Sequence, residues 1–340
     1  METQIITRIT PHEPASWQQS LANVVTDPFE LLKALDLPLD LLPGVKQAAR
    51  LFGLKVTHSY LKRIRKADPQ DPLLLQVLPH LAETQPQPKN FSHDPVGDHD
   101  ATQVPGVIHK YHGRVLLITT AACAIHCRYC FRRNFPYADS HAGRNQWQTA
   151  LDYIANDESI EEVILSGGDP LVLADHKLAE LCQKLSDIPH LKRLRLHTRL
   201  PIVLPERIND SFLDWISGSQ LKIVLVVHCN HPNEINDEVA TALNKLSDAG
   251  IPTFNQAVLL KHINDSVDIL ARLSKELFAA SVMPYYLHQL DPVTGAAHFA
   301  VSVKKAQDLY AQLTALLPGY LVPRLVIEQA GMPAKTLLTP

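Results

Sequence analysis

Cys123, Cys127 and Cys130 fall within the eight residues CAIHCRYC, the densest group of reactive side chains in the chain. Thiolates at spacings of four and three let a short loop wrap its sulfurs around one inorganic centre. A closed zinc site wants a fourth protein ligand, and His126 is poorly placed to fold back from inside so tight a loop. Iron-sulfur cubanes are usually held by four cysteines, so three leave one iron open to a substrate or cofactor. The other two cysteines stand alone. Cys182 shares a helical spacing with Leu178, Leu181 and Leu185 and reads as a buried apolar thiol. Cys229 has no evident task.

Further polar residues recur where apolar runs stop. Ser166-Gly167-Gly168-Asp169 follows one run but lacks the lysine of a phosphate-binding loop. Two neighbouring residues without β-carbons let backbone carbonyls approach a ligand closely, which suits an ammonium. His197 and Thr198 end the next run, and His228-Cys229-Asn230-His231 the one after it. Gln256 lies within the fifth run, with Tyr285, Tyr286 and His288 in the sixth.

The elements that must position these groups are six short β-branched or leucine-rich runs at 115–119, 162–166, 191–198, 221–228, 251–260 and 282–288. Amphipathic stretches at 175–187, 235–249 and 266–279 lie between them, and alternation of this kind predicts a parallel sheet. Its strands should be near-continuously apolar, being covered on both faces. A barrel and an open doubly wound sheet both fit the pattern, and either places chemistry at the carboxyl ends of the strands. Before residue 105 the chain is rich in proline and predicts short helices at 17–26, 28–35 and 59–66, the second capped by Asp27 with Pro28 at its first position.

With 340 residues, 46% hydrophobic, and a formal charge of 32 minus 35, or -3, the chain has a sizeable core and no broad basic field for nucleic acid. No apolar run reaches the roughly 20 residues of a membrane span. The N-terminal METQIITRIT lacks the basic and apolar sections of an export signal, so a reducing, cytoplasmic setting is expected.

Cys-x3-Cys-x2-Cys after a first strand resembles the radical S-adenosylmethionine (SAM) enzymes, whose fold is an α/β partial (β/α)6 TIM-type barrel. The resemblance implies a [4Fe-4S] cluster on Cys123, Cys127 and Cys130. It also implies SAM on the open iron and one-electron cleavage to a 5'-deoxyadenosyl radical, fed by a donor such as flavodoxin or ferredoxin. Arg132-Arg133, SGGDPL, HCNHPNE, NQAVLLKHIND, PYYLHQLD and GMPAKT narrow it. Together they resemble the lysine 2,3-aminomutase family, and most of all its short members that prepare (R)-β-lysine for elongation factor P.

That family adds pyridoxal phosphate (PLP), which the resemblance joins to Lys335, with Lys110, Tyr111 and Arg114 at its phosphate. Lys110 stands where an arginine is usual, a point charge replacing a bidentate fork. Ser166, Gly167, Gly168, Asp169, His228 and Gln256 match the SAM site. Arg132 matches the arginine for the substrate carboxylate, and Asp291 and Glu328 match the carboxylates for the side-chain ammonium, Glu328 replacing an aspartate. The implied organisation is an N-terminal helical region (1–105), the barrel (106–318) and a C-terminal strand with the PLP lysine (319–340).

The implied reaction is a radical 1,2-amino shift on free L-lysine, with a separate ligase attaching the product. The chain ends five residues past Lys335, without the zinc-binding extension of the catabolic enzymes, and Ser266 stands where a further zinc-ligand cysteine is expected. The competing readings are a catabolic or differently specific aminomutase and a non-catalytic iron-sulfur or zinc interaction module. A homo-oligomer is compatible with all of them.

Overall fold

A computed structural model of the chain describes residues 16–137 and 146–339. The N-terminal METQIITRIT lies outside the described residues. One ten-stranded sheet organises the molecule: β1 Thr102–Val104, β2 Val107–Tyr111, β3 Arg114–Thr120, β4 Glu162–Gly167, β5 Arg193–Thr198, β6 Lys222–Val227, β7 Thr253–Leu259, β8 Met283–Gln289, β9 Arg324–Ile327 and β10 Thr336–Leu337. All six predicted runs are strands (β3 to β8), and β9 continues them as a seventh parallel strand. β1 and β2 precede β3, and β10 follows β9, as antiparallel edges.

Strand order in the sheet follows chain order throughout. A doubly wound sheet reverses direction at a switch point, so this order is that of a barrel. β1 and β10 do not pair with each other among the described residues, which leaves the barrel partial. The residue-105 division falls in the turn between β1 and β2, and β9 and β10, within the C-terminal segment, complete the far edge.

The expectation of continuous apolar strands holds for β4, whose four central residues are buried, but not for β5 and β7, whose burial alternates strictly. Residues Leu194, Leu196 and Thr198 of β5 and Thr253, Asn255, Ala257 and Leu259 of β7 are the buried set. The alternate residues, Arg195, His197, Phe254, Gln256 and Val258, line a cavity inside the barrel. A barrel with a hollow, polar interior needs period-2 strands, which a fully packed one does not.

Outside the sheet lie the helices Asp175–Ser186, Asp237–Asp248, Val267–Ala279 and Val303–Leu316, each turning a leucine-rich face inward. Cys182 is buried among Leu178, Leu181 and Leu185, as its spacing predicts. One hydrophobic cluster runs from Trp17 and Tyr60 through the strands to Leu325, so the N-terminal region and the barrel share a core.

In that region Asp27 caps the helix Pro28–Ala34, its carboxylate accepting from Phe29 N at 2.6 Å. The first helix stops early, at Ala22, because Val25 pairs with Val56 in an isolated bridge. The third, His58–Leu61, is likewise shorter than predicted: past it, Arg63 donates to the carbonyls of Ile202 and Glu234 in the barrel.

Candidate active site

A cavity of about 780 Å³ runs inside the barrel, lined from the amino ends of the strands (Arg114, Glu162, Arg324) to their carboxyl ends (Ser166, Thr198, His288), and every residue assigned a site role from sequence lines it. That includes residues more than 220 positions apart, such as Lys110 and Lys335.

The cysteine loop leaves β3 and is clamped from behind by the N-terminal region. His126 N donates to Lys55 O and Arg128 N to Gln76 O, both at 2.9 Å. The buried Arg128 forks onto Glu83 through Nε and Nη2, at 2.9 and 2.6 Å, and Arg133 adds a third bond to that carboxylate at 2.7 Å. His126 stacks on Phe52 with ring centroids 4.8 Å apart and its Nδ1 lies 2.8 Å from Gly53 O. It packs the loop and does not turn toward the sulfurs. Among the described residues no three His, Cys, Asp or Glu side chains gather at one ion-sized point.

Burial raises the Cys123 thiol well above its ordinary pKa, with Asp169 adding to it, and raises Cys130 to about 11 against the pull of Arg132 and Arg133. Thiols so placed give up their protons to a metal, as ligand sulfurs must. This donor set suits iron with one position left open.

The double glycine also allows a close approach within the protein itself. A β-carbon on Gly168 would lie 2.2 Å from Ala122 O, and one on Gly167, at φ +116°, would lie 2.6 Å from Thr120 O. These glycines let the end of β4 run against the backbone of the cysteine loop, with Gly168 N donating to Thr120 O at 2.7 Å and Asp169 N to Ala122 O at 2.8 Å. Gly167 O accepts from Tyr137 Oη at 2.8 Å. Asp169 is buried, and its carboxylate accepts from Thr198 Oγ1 and Arg199 N, both at 2.7 Å, and from Leu171 N at 3.0 Å. It therefore fixes the turn after β5 with bonds that occupy both its oxygens.

Ser166 and Gln256 face the cavity from β4 and β7, and His228 from just past the end of β6. Gln256 Nε2 donates to His228 Nε2 at 3.0 Å, and burial lowers the His228 pKa to about 3, so its ring is neutral. Burial likewise holds His197 and His288 well below the usual histidine range, and each has a buried Nε2 with no partner.

Across the cavity, Lys335 Nζ pairs with Glu328, whose other oxygen accepts from Tyr111 Oη at 2.6 Å and lies 3.6 Å from Lys110 Nζ. Burial would raise the Glu328 carboxyl pKa, but Lys335 and these partners more than offset it and hold it low. The ion-pair partner of Lys335 among the described residues is thus an anion. Arg114 stacks over Tyr111, 4.6 Å from the ring centroid, and no ion pair involves it among the described residues.

Arg132 Nε donates to Asp98 at 2.8 Å, and Nη1 to Ser166 Oγ at 3.3 Å. Lys110 pairs with the same Asp98 at 2.7 Å. Burial pushes the Asp98 carboxyl up, yet Arg132 and Lys110 outweigh it and keep it ionised. Asp291 contrasts with it. Its Oδ1 is shut off from solvent without a partner, and burial raises its pKa to about 7 against the pull of Lys335. A carboxylate of this kind is built to receive a cation.

Asp98, Arg199 and Glu234 escaped the reading of the sequence. Asp98 lies in an irregular polar loop with no periodic signal. Arg199 is one residue beyond the predicted strand end at Thr198, within reach of the carboxyl-end rule. Glu234 stands in the quoted HCNHPNE, where its capping of Asn230 N at 2.9 Å and His231 N at 3.0 Å is hidden.

Residues 117–273 match the model of the radical SAM superfamily. The chain is 48% identical to the L-lysine 2,3-aminomutase of Haemophilus influenzae, covering 97% of this chain and 99% of that protein. It is also 48% identical to that of Escherichia coli, covering 98% and 97%. The L-lysine 2,3-aminomutase of Clostridium subterminale is 35% identical, over 95% of this chain and 78% of that protein. Taken with the cysteine loop and the partial barrel, these likenesses show that the chain belongs to the L-lysine 2,3-aminomutase family of radical SAM isomerases.

Proposed function

We propose that this chain converts free L-lysine to (R)-β-lysine by an intramolecular 1,2-amino shift, in the cytoplasm, and that the product supplies the modification of elongation factor P. The observation that carries the reaction is a single cavity holding three cysteines, a lysine and the unpartnered carboxylate of Asp291. The proposed roles are Cys123, Cys127 and Cys130 for a [4Fe-4S] cluster and Ser166, Gly167, Gly168, His228 and Gln256 for SAM. Lys110, Tyr111 and Arg114 take the phosphate of PLP, with Lys335 joined to it. When bound, cluster and SAM would supply a hydrogen-abstracting radical, and PLP a conjugated system that delocalises the unpaired electron during the amino shift.

The protein's own share is positioning and charge pairing. Arg132 presents a guanidinium to the substrate carboxylate while Asp98 holds it in place. Asp291 receives the side-chain ammonium, and Glu328 holds Lys335 until that lysine is engaged. Asp169 acts through the turn it fixes. The buried rings of His197, His228 and His288 are neutral and so add no cation to compete with the substrate ammonium. The elongation factor role rests on the short-enzyme resemblance of the motifs, and greater identity to the Haemophilus and Escherichia proteins than to the clostridial one accords with it.

Anaerobically reconstituted protein with SAM, PLP and dithionite should form (R)-β-lysine from L-lysine, read by chiral chromatography, and leave glutamate and ornithine unchanged. Protein that holds cluster and PLP yet yields no β-lysine would overturn the proposal. Cells lacking the chain should likewise lose β-lysine mass from elongation factor P.

A further inference from the structure

Arg199 follows β5 directly and is buried, with its backbone N held by Asp169 at 2.7 Å. Its Nη1 donates to Cys127 Sγ at 2.8 Å. Its Nη2 is shared between Gln76 Oε1 at 2.7 Å and Glu234 Oε2 at 2.9 Å. Gln76 is fixed in turn by Asn230 Nδ2 at 3.0 Å, and Glu234 by the backbone N–H groups it caps. The residue is thus held, at its backbone N and its terminal guanidinium nitrogens, by groups from four parts of the chain. Among the described residues, Cys127 is the one thiol of the loop whose sulfur accepts from a charged donor.

An arginine stays charged at any working pH, and burial makes its field count for more than it would in water. The potential of an iron-sulfur centre responds to net charge, burial and hydrogen bonds to its sulfurs. We infer that Arg199 is a positioning residue that raises the reduction potential of the cluster held through Cys127, and that Glu234 moderates the effect. The inference rests on the reading of the cysteine loop as a cluster site. Reduction adds one electron to the cluster and neither makes nor breaks a bond. The negative charge so gained forms beside the guanidinium, which favours the reduced state. Glu234 lies on the far side of that guanidinium and partly cancels it.

The test is an EPR-monitored redox titration of the anaerobically reconstituted full chain without SAM, with dithionite as the one-electron reductant. Iron and sulfide analysis comes first; a wild-type protein that assembles no cluster would overturn the cluster reading itself. Given a cluster, Arg199→Gln, which keeps a donor but loses the charge, should move the midpoint negative. The reduced-to-oxidised ratio at fixed potential should fall about tenfold, or 59 mV for a one-electron couple. Arg199→Lys should recover most of the shift, and Glu234→Gln should move the midpoint positive. A merely structural role would not give shifts of opposite sign. Coincident midpoints for wild type, Arg199→Gln and Glu234→Gln would overturn the inference. If Arg199→Gln assembles no cluster, Glu234→Gln decides against wild type: a positive shift supports the inference and coincident midpoints overturn it.

Discussion

A carboxylate oxygen shut off from water without a partner is costly, and the cost is recovered when a cation arrives. Asp291 is in this position, with a pKa raised to about 7. An ammonium binds its anionic form, so kcat/KM for lysine should rise about tenfold per pH unit below that value and level off above it. Asp291→Asn should remove this acidic limb and lower kcat/KM by about 10- to 100-fold, the worth of a hydrogen bond to a charged group. A pH profile of both proteins checks it. Because the folded-state pKa lies above the unfolded one, the fold disfavours the anion. Asp291 therefore subtracts stability as pH rises from the unfolded carboxylate range toward about 7, and the full penalty stands above it. Without lysine at pH 8, Asp291→Asn should melt higher than wild type, as calorimetry would show. Asp291 was legible in the sequence through PYYLHQLD, whereas its unpartnered state depends on which neighbours turn away, and no motif records that.

At the level of elements, the join between β4 and the cysteine loop leaves no room for a β-carbon. Gly168→Ala would press a β-carbon onto the Ala122 carbonyl, whereas Gly319→Ala meets nothing within 4 Å. The first should lower the thermal midpoint and cut bound iron per chain after reconstitution several-fold, and the second should leave both near wild type. Strand positions were readable because β-branched runs and intervening amphipathic helices obey short-range rules. The hollow interior was less so. Arg195 and His197 in β5 and Gln256 in β7 break the apolar runs, and that interruption was the available sign of a polar cavity. The absence of a β-carbon in the double glycine was legible, whereas its close approach to the backbone of the cysteine loop was not.

At the scale of the molecule, the N-terminal region acts as the back wall of the cysteine loop. Glu83 binds Arg128 and Arg133 with no exposure of the carboxylate. Glu83→Ala would leave two buried guanidinium groups without their anion. It should cost about 3–5 kcal/mol in urea unfolding, the usual result of breaking a buried pair from one side. These contacts join residues about fifty positions apart through irregular loops, so they left no trace in periodicity. All the parts converge on one claim, that the cavity moves an amino group within a single lysine molecule. The direct measurement uses L-lysine carrying 15N on its α-nitrogen, with mass spectrometry locating the label in the product. The expected result is β-lysine with the label at carbon 3 at undiminished enrichment. Unlabelled β-lysine, or none from protein loaded with cluster, SAM and PLP, would contradict it.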